Sequence, residues 1–261
     1  MNFLVIGAYI FAAVVMGYAM WTSTDDPKAF LDFHGFLIVV GGSIAATAVS
    51  FQLDRVWLML KVFWNRSLKG KKPDYIKIIR SLMVIADAYR KGANIEEILS
   101  KEEDPFIKEC MATLLDGVVT GDALTKMLKK RVATMYDRYN ADAGRFRAIG
   151  KYPPAMGLLG AVMGMIALLG GLGKPGAEKT VGPAMSIALV ATLYGIAVAN
   201  LIVIPIGENL TETSTEIRTK NLMIVEGIRL IAEKTNPIVL AEELNSFLLP
   251  SERIDWKSLN S

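Results

Sequence analysis

A chain of 261 residues makes one or two domains, and its 52% share of hydrophobic residues indicates a membrane protein with a substantial water-facing part. The net charge of +3 is small, and we expect no nucleic-acid partner. The single cysteine, Cys110, excludes an intrachain disulfide and reads as a buried helical thiol, while the single histidine, His34, gives no metal site. Motifs for a phosphate-binding loop, a zinc protease or a serine hydrolase are absent from the sequence.

The first predicted membrane span is residues 3–21, FLVIGAYIFAAVVMGYAMW. A cleavable signal peptide has a basic start and a small-residue cleavage site, and neither is clear here. We therefore predict a retained helix, with Tyr18 and Trp21 near one membrane surface. A short connector leads to a second span at residues 35–53, so that residues 1–53 form a transmembrane hairpin.

Residues 54–152 read as a water-facing helical domain. We predict that Pro73 occupies the first position of one helix and that Gly92 ends it. The pair Asp104-Pro105 has the pattern of an N-cap followed by the first helical residue, and Asp122 is predicted to cap a longer helix that runs towards the membrane.

Two long apolar limbs within residues 153–207 form a second predicted hairpin, and residues 208–261 follow as a helical tail. Each limb is long enough to cross a hydrocarbon core of ~30 Å, which takes roughly 20 residues of helix. We expect Pro153 and Pro154 to kink or restart the helix at the membrane surface. One side of each limb is built from small residues, which allow helix backbones to approach closely in lipid, and we expect these faces to form a wall for other helices. The small residues are Gly157, Gly160, Ala161 and Gly164 on the third span and Ala184, Ala188, Ala191, Thr192, Gly195 and Ala199 on the fourth.

The basic residues set the predicted orientation. Twenty of the 29 Lys and Arg residues lie in residues 54–152, where they crowd the end of the second span and the start of the third. Such clusters stay on the cytoplasmic side, so both termini and this domain are predicted to be cytoplasmic. The fold class is thus an all-α integral membrane protein with four transmembrane helices. A helical cytoplasmic domain is inserted between helices 2 and 3, and a helical tail follows at the C-terminus.

The four predicted spans contain no Asp, Glu, Lys, Arg or His. An ionisable group at the centre of a membrane helix costs ~3 kcal/mol or more, and where it occurs it usually marks an ion path. Either this protein moves nothing, or a partner contributes the titrating group. Thr192 is a candidate to line a water-accessible path beside such a partner, together with Ser186, Tyr194, Asn200 and Thr47. The alternative for each is a hydrogen bond between helices or to its own helix backbone.

Two further sets of residues allow two interpretations. Pro183 and Pro205, near the ends of the fourth span, either cap and bend the helix or act as hinges. Arg90 and Lys91 end one predicted helix, and Glu96-Glu97 begin the next. Helix electrostatics is the favoured explanation of this arrangement, and the alternative is a charged contact face for another cytoplasmic protein.

Four segments of the chain are distinctive: LIVVGGS (37–43), ADAYRKG (86–92), FRAIGKYPPAMGLLGAVMG (146–164) and VGPAMSIALVATLYGIAVAN (181–200), followed by Pro205. Together they resemble the MotA/PomA family, the larger stator subunit of the bacterial flagellar motor, and the similarity covers nearly the whole chain.

The resemblance implies a motility protein of the bacterial inner membrane, not an enzyme, that has no cofactor. Its copies would form a ring, a pentamer in the family, in membrane lipid around a MotB/PomB-type single-span partner that carries a membrane Asp. Prolines matching Pro183 and Pro205 would couple ion flow to movement. The residue matching Arg90, with Lys91 beside it, would contact the rotor protein FliG. The family's acidic residue falls on Ile98 here, so we expect Glu96 or Glu97 to take its role.

The same resemblance indicates which ion the protein conducts. Sodium-using relatives tend to have Thr where this chain has Ala161, and a Thr-Thr pair in place of Ala191 and Thr192. Sodium needs several oxygen ligands, whereas a proton needs only a titratable acceptor and water, so the missing hydroxyls favour a proton. The nearest alternative is an ExbB/TolQ-type proton channel subunit, but those proteins typically have three spans. A non-conducting scaffold and a membrane-embedded enzyme are the remaining alternatives.

Overall fold

The computed structural model describes residues 3–64, 73–172, 176 and 178–253. Within these ranges the chain has helices and no strand, which confirms the predicted all-α class. The α-helices are α1 (Phe3–Thr22), α2 (Phe33–Phe36), α3 (Gly42–Ser50), α4 (Leu53–Phe63), α5 (Tyr75–Lys91), α6 (Ile95–Lys101), α7 (Pro105–Leu115), α8 (Gly121–Ile149), α9 (Tyr152–Gly171), α10 (Glu178–Ala197), α11 (Ile204–Ala232) and α12 (Pro237–Leu244).

The chain divides into two compact units. The described parts of residues 1–70 and 139–213 make up the first unit, and those of 71–138 and 214–261 make up the second. Two of the three divisions therefore fall inside α8 and α11 rather than in loops, and the third, between residues 70 and 71, lies outside the described residues.

Three helical stretches of the described chain are long and apolar enough to cross a membrane: Pro27–Ser50, Gly121–Gly171 and Val181–Ala232. The first predicted span coincides with α1, in which Ile6–Thr22 is apolar but shorter than these. The four-span layout therefore stays a prediction, while the apolar helices at the other three predicted spans are present.

The second predicted span is a helix from α2 to α3 that passes through a π-helical turn at Leu37–Gly41. It ends at Ser50 because Phe51 and Gln52 have extended backbone, so the predicted end at residue 53 was wrong. A separate helix, α4, begins at Leu53 and exposes Trp57, and Trp64 directly after its end is exposed too. The basic residues at positions 66–72 lie outside the described residues.

Helices α9 and α10 pack with their backbones in contact. A Cβ atom placed on Gly157 would lie 2.8 Å from the carbonyl oxygen of Ala191, and one on Gly195 would lie 2.5 Å from the carbonyl oxygen of Pro153. On Gly164, it would lie 2.8 Å from Cβ of Ala188. The small faces of the two spans therefore meet each other. The helix of the second predicted span also packs against this hairpin, since a Cβ atom on Gly160 would lie 3.5 Å from a side-chain carbon of Ile38. The small faces therefore do form a wall for another helix of this chain, while the packing of a partner's helix there stays a prediction.

Prolines mark both ends of this hairpin. Helix α8 ends at Ile149 and α9 restarts with Pro153 and Pro154 at its beginning, as predicted. A π-helical turn at Val198–Val203 joins α10 to α11, and the Ile204 N–H bonds to the Ala199 carbonyl, five residues back. This wider turn accommodates Pro205, which has no N–H and whose ring crowds the preceding turn. The helix continues into the tail without a break.

Helix ends in the second unit follow capping rules, although not always at the predicted residue. Asp74 caps α5 by accepting from the Lys77 N–H at 3.0 Å, so Pro73 lies outside the helix and its prediction was wrong. Gly92 ends α5 with φ of 68°, and Asp104 caps α7, both as predicted. Helix α8 begins at Gly121, so Asp122 lies within its first turn instead of capping it.

The second unit has its own hydrophobic core. Buried side chains from α5, α7, α8, α11 and α12 form one cluster. Cys110 is fully buried within this cluster, as predicted, and loss of contact with water raises the pKa of its thiol to about 12. The largest fully buried members are Ile79, Leu82, Ile85, Ile107, Met111, Leu124, Leu128, Met223, Ile224, Ile228, Ile231 and Leu240.

Gly157→Ala tests the backbone contact between α9 and α10. The new methyl group would meet backbone atoms that cannot rotate away, and we expect overpacking to destabilise the protein by about 2 kcal/mol. Gly170→Ala in the same helix is the control, because nothing lies within 4 Å of its Cβ position. Thermal unfolding in detergent should show a lower midpoint for Gly157→Ala only. Equal midpoints for the two variants would contradict the close approach.

Candidate functional site

Thr192 is half-buried on the side of α10 that faces α9. Its hydroxyl donates to the Ala188 carbonyl at 3.1 Å, and the Gly157 carbonyl lies 3.5 Å away. The proton of Thr192 is therefore engaged with backbone, whereas its oxygen retains lone pairs. Asn200 and Thr47 behave in the same way, since each donates to a carbonyl four residues earlier in its own helix. Each of these side chains therefore forms the hydrogen bond within its own helix, and its place beside an ion path stays a prediction.

Ala191 and Ala161 have different surroundings. Ala191 is fully buried. A Cβ placed on Gly160 would lie 2.7 Å from the Ala191 methyl group, and one on Gly35 would lie 3.3 Å from the Ala191 nitrogen. Ala191 is thus enclosed between α9 and α2, whereas Ala161 is only half-buried. A larger side chain at Ala191 would push these helices apart.

Pro183 and Pro205 lie in one continuous helical segment, which α10, the π-helical turn and α11 form together. Pro183 is exposed and lies inside α10, which begins at Glu178, earlier than the predicted span. Pro205 is half-buried near the start of α11, directly after the π-helical turn. A proline inside a helix removes one backbone hydrogen bond, so both positions are places where the helix can bend.

Side chains of α10 hold the connector between the first two spans. The Tyr194 hydroxyl donates to the Phe30 carbonyl at 2.5 Å and accepts from the Asp32 N–H at 3.3 Å. Ser186 donates to the Ala29 carbonyl at 3.2 Å. The connector is therefore fixed against the fourth predicted span by three hydrogen bonds, and Tyr194 and Ser186 act between elements rather than within their own helix.

Asp32 is a candidate that the sequence did not single out. Its carboxylate accepts from the Gly35 N–H at 2.6 Å and caps α2, and Gly35 packs against Ala191 of α10. Asp32 is half-buried, so a carboxylate lies beside the candidate path instead of on a loose outer connector. The available signal was an Asp placed directly before an apolar helix, where an N-cap is favoured.

The four charged candidates lie at the end of α5 and in the first turn of α6, with all four side chains exposed. Asp87, which the sequence did not single out, bonds to Lys91 at 2.6 Å and lies 3.6 Å from Arg90. Glu97 pairs with Lys101 of its own helix at 2.9 Å. Exposed pairs of this kind contribute at most about 1 kcal/mol, so these charges remain available to a partner.

Groups of three or more metal-ligating side chains are absent from the part of the chain that the structure describes. The arrangement in the first unit is instead a tightly packed helical hairpin, two prolines in one helix and a fixed carboxylate at the connector. Such a pair of helices can line a path for an ion, and the helix that contains the prolines can bend. It has no nucleophile–base pair for covalent chemistry among the residues described above.

Known proteins match the chain over most of its length. The family model of the MotA/TolQ/ExbB proton channel family matches residues 99–222. Chemotaxis protein PomA of Vibrio alginolyticus is 30% identical over 244 residues, which cover 93% of each chain. The solved structure of C. jejuni MotAB matches with a TM-score of 0.86 at 25% identity, covering 98% of this chain and 100% of that chain. The flagellar MotAB stator complex from Bacillus subtilis matches with a TM-score of 0.84 at 25% identity, covering 97% of both chains.

Tyr194→Phe tests whether α10 holds the connector. The variant keeps the ring but removes the hydroxyl that joins Phe30 and Asp32, so we expect faster amide hydrogen exchange in residues 27–33, about tenfold for a lost hydrogen bond worth about 1.4 kcal/mol. Tyr18→Phe is the control, because that ring is 70% exposed on α1. Hydrogen exchange read by mass spectrometry makes the measurement. Identical exchange in the two variants would show that the connector is held by other contacts.

Proposed function

This chain belongs to the MotA/PomA family, and we propose that it is the larger subunit of a flagellar motor stator, which conducts ions with a partner and converts their flow into torque. The observation that carries this function is the match to the flagellar MotAB stator complex over 97% of both chains, in agreement with the similarity to PomA over 93% of each. An ExbB/TolQ-type role is less supported, because the relatives that match almost end to end are named as motility and chemotaxis proteins.

The partner is proposed to be a MotB/PomB-type subunit with one span and a membrane Asp. Its contribution is needed because the apolar cores of the spans contain no ionisable side chain. We propose that copies of this chain form a ring, a pentamer as in the family, around that partner in the lipid of the bacterial inner membrane. Both termini and the second unit are on the cytoplasmic side in this arrangement, as the distribution of Lys and Arg favours.

The ion path begins at Asp32, whose carboxylate attracts cations, and passes Thr192. Ions neutralise the partner's Asp beside Thr192 and then leave inward. One charge that crosses 100 mV releases about 2.3 kcal/mol, which is the energy available for each step. The conducted ion is proposed to be a proton rather than sodium, because Ala161 and Ala191 supply no hydroxyl ligands and Ala191 is fully buried. Ion flux through Asp32→Asn tests this role, because the amide oxygen can still accept from the Gly35 N–H while the negative charge is lost, and unchanged flux would remove Asp32 from the path.

Coupling to movement is proposed to run through the helix that contains Pro183 and Pro205. Each neutralisation changes which wall the partner's Asp prefers, and the helix bends at the prolines as the ring steps around the partner. The second unit then pushes the rotor protein FliG with the exposed charges Arg90, Lys91 and Glu96 or Glu97. Such charges orient docking more than they add affinity.

Thr192→Val and Pro183→Ala test the path and the coupling separately. With the partner subunit present, Thr192→Val removes the hydroxyl oxygen and should lower ion flux by about tenfold, which corresponds to a barrier increase of about 1.4 kcal/mol. Pro183→Ala should lower torque more than flux, because it stiffens the helix without changing the lining. Thr22→Val is the control, since that hydroxyl bonds to its own helix at the Tyr18 carbonyl on α1. Flux in proteoliposomes and torque from tethered cells are the measurements, and unchanged values for both variants would remove the assignment.

A further inference from the structure

A half-buried ion pair joins α11 to the beginning of α7 in the second unit. The Lys220 ammonium lies 2.6 Å from the Asp104 carboxylate, and the two side chains are 17% and 16% exposed. The neighbouring pair of Lys77 and Glu103 is equally short, at 2.5 Å, but its side chains are 59% and 78% exposed. Water and salt screen an exposed pair strongly and a half-buried pair much less. Of these two pairs, Lys220–Asp104 is therefore the one that can fix two helices relative to each other.

Asp104 is held in place independently of Lys220. Its Oδ1 atom accepts from the N–H groups of Phe106 at 2.8 Å and Ile107 at 3.3 Å, whereas its Oδ2 atom accepts from the Lys220 ammonium. The Asp104 N–H donates to the Glu102 carboxylate at 2.9 Å. Lys220 thus meets a carboxylate whose position three hydrogen bonds to backbone already determine, and the pair is held in one geometry.

Helix electrostatics does not account for a lysine at this place. The first turn of α7 carries the positive end of the helix dipole, which disfavours a nearby cation. Without the Asp104 carboxylate, the Lys220 ammonium would be half-buried beside that positive end with its charge uncompensated. The two neighbouring acids are engaged elsewhere, since Glu102 accepts from backbone N–H groups and Glu103 bonds to Lys77. Lys220 is therefore placed to bind Asp104.

The ion pair adds direction to the packing of α11. This helix continues from α10 through the π-helical turn, and its residues from 214 onward belong to the second unit. One turn after Lys220 it enters the core with Met223, Ile224 and Ile228, which are fully buried. Apolar contacts of this kind are non-directional, so they resist separation more than rotation. The bond from Lys220 therefore fixes how α11 is turned about its axis relative to α7.

The connector that carries Asp104 also ends α6. The Glu102 N–H bonds to the Leu99 carbonyl at 3.3 Å, and the Glu102 carboxylate accepts from the Asp104 N–H. No side chain of α6 is buried, and Ile95 and Ile98 are only half-buried against the core. The position of α6 consequently depends on the connector that Lys220 binds.

We propose that Lys220 is a positioning residue of the motor, whose bond to Asp104 makes α6 and α7 follow the movement of α11. The inference rests on the proposed function, in which α11 transmits the steps of the ring, and it assigns the residue through which the second unit takes up that movement. Breaking the pair leaves the ion path intact but allows α11 to turn against its aliphatic contacts. Part of each step is then lost before it reaches α6.

The experiment uses the full stator complex, in motile cells for torque and in proteoliposomes for ion flux. Lys220→Met removes the charge and keeps an apolar stem. We expect torque per stator unit, read from the speed steps of a bead-loaded flagellum, to fall by about twofold or more while flux is unchanged. Lys220→Arg keeps the charge and should retain most of the torque. Lys77→Met is the matched control, because it breaks the exposed pair with the adjacent Glu103 and should behave like the original protein.

Asp104→Asn tests the same contact from the other side. The amide oxygen can still cap α7, but Lys220 loses its charged partner, so torque should fall as in Lys220→Met. The double variant should lose no more torque than Asp104→Asn alone, because both changes break one contact. Thermal unfolding of each complex shows which variants are folded at the temperature of the torque measurement, and Lys220→Gln replaces Lys220→Met if the latter is not.

Three results would overturn the inference. Unchanged torque per stator unit in a folded Lys220→Met complex would show that the pair is only structural, even with a lower unfolding midpoint. Flux that falls in proportion to torque would show that the pair acts on the ion path. Independent, multiplying losses in the double variant would show that the two residues do not act through one contact. If the original complex gives neither flux nor torque, the proposed function itself fails, and the role of Lys220 fails with it.

Discussion

Backbone contact between α9 and α10 is the constraint on which the first unit depends. In lipid there is no water to drive apolar surfaces together, so helices associate through close packing, and only small residues permit it. Gly157, Gly164 and Gly195 lie where any side chain would meet the opposite backbone or a Cβ atom. This contact encloses Ala191, orients the Thr192 hydroxyl toward backbone carbonyls and presents Tyr194 to the connector.

Packing of α9 against α10 determines which residues of the two helices stay uncovered. The small faces are used within the chain, whereas Ala161 is only half-buried and Pro183 is exposed. The membrane helices have no titrating group in their apolar cores and their glycines already pack against each other, which supports the proposed role of a housing for a partner's titrating group. The fixed carboxylate of Asp32 is in accord with the proposed entry of a cation at the connector.

Sequence patterns predicted those features that depend on a residue and its immediate neighbours. Gly92 ends α5, Asp104 caps α7, and Pro153 restarts the helix at α9, because backbone conformation and missing donors act locally. Periodicity also indicated an all-helical chain. The function followed from a resemblance, and similarity to known proteins over nearly the whole length supports it.

Features that depend on distant parts of the chain could not be predicted in this way. A stripe of small residues does not reveal which helix it faces, and Gly157 and Gly164 face α10 of the same chain. Asp32 appeared to lie on an outer connector because its link to Tyr194 spans 162 residues. A π-helical turn before Pro205 lets one helix continue where proline was expected to end or bend it.

The central claim is that this chain houses an ion-driven device whose protonatable group belongs to another molecule. The most direct measurement is proton flux into vesicles that contain this chain alone, the chain with its single-span partner, or the chain with a partner whose membrane Asp is replaced by Asn. We expect flux only in the second preparation. Flux through the chain alone, or through the complex that lacks the partner's carboxylate, would contradict the account.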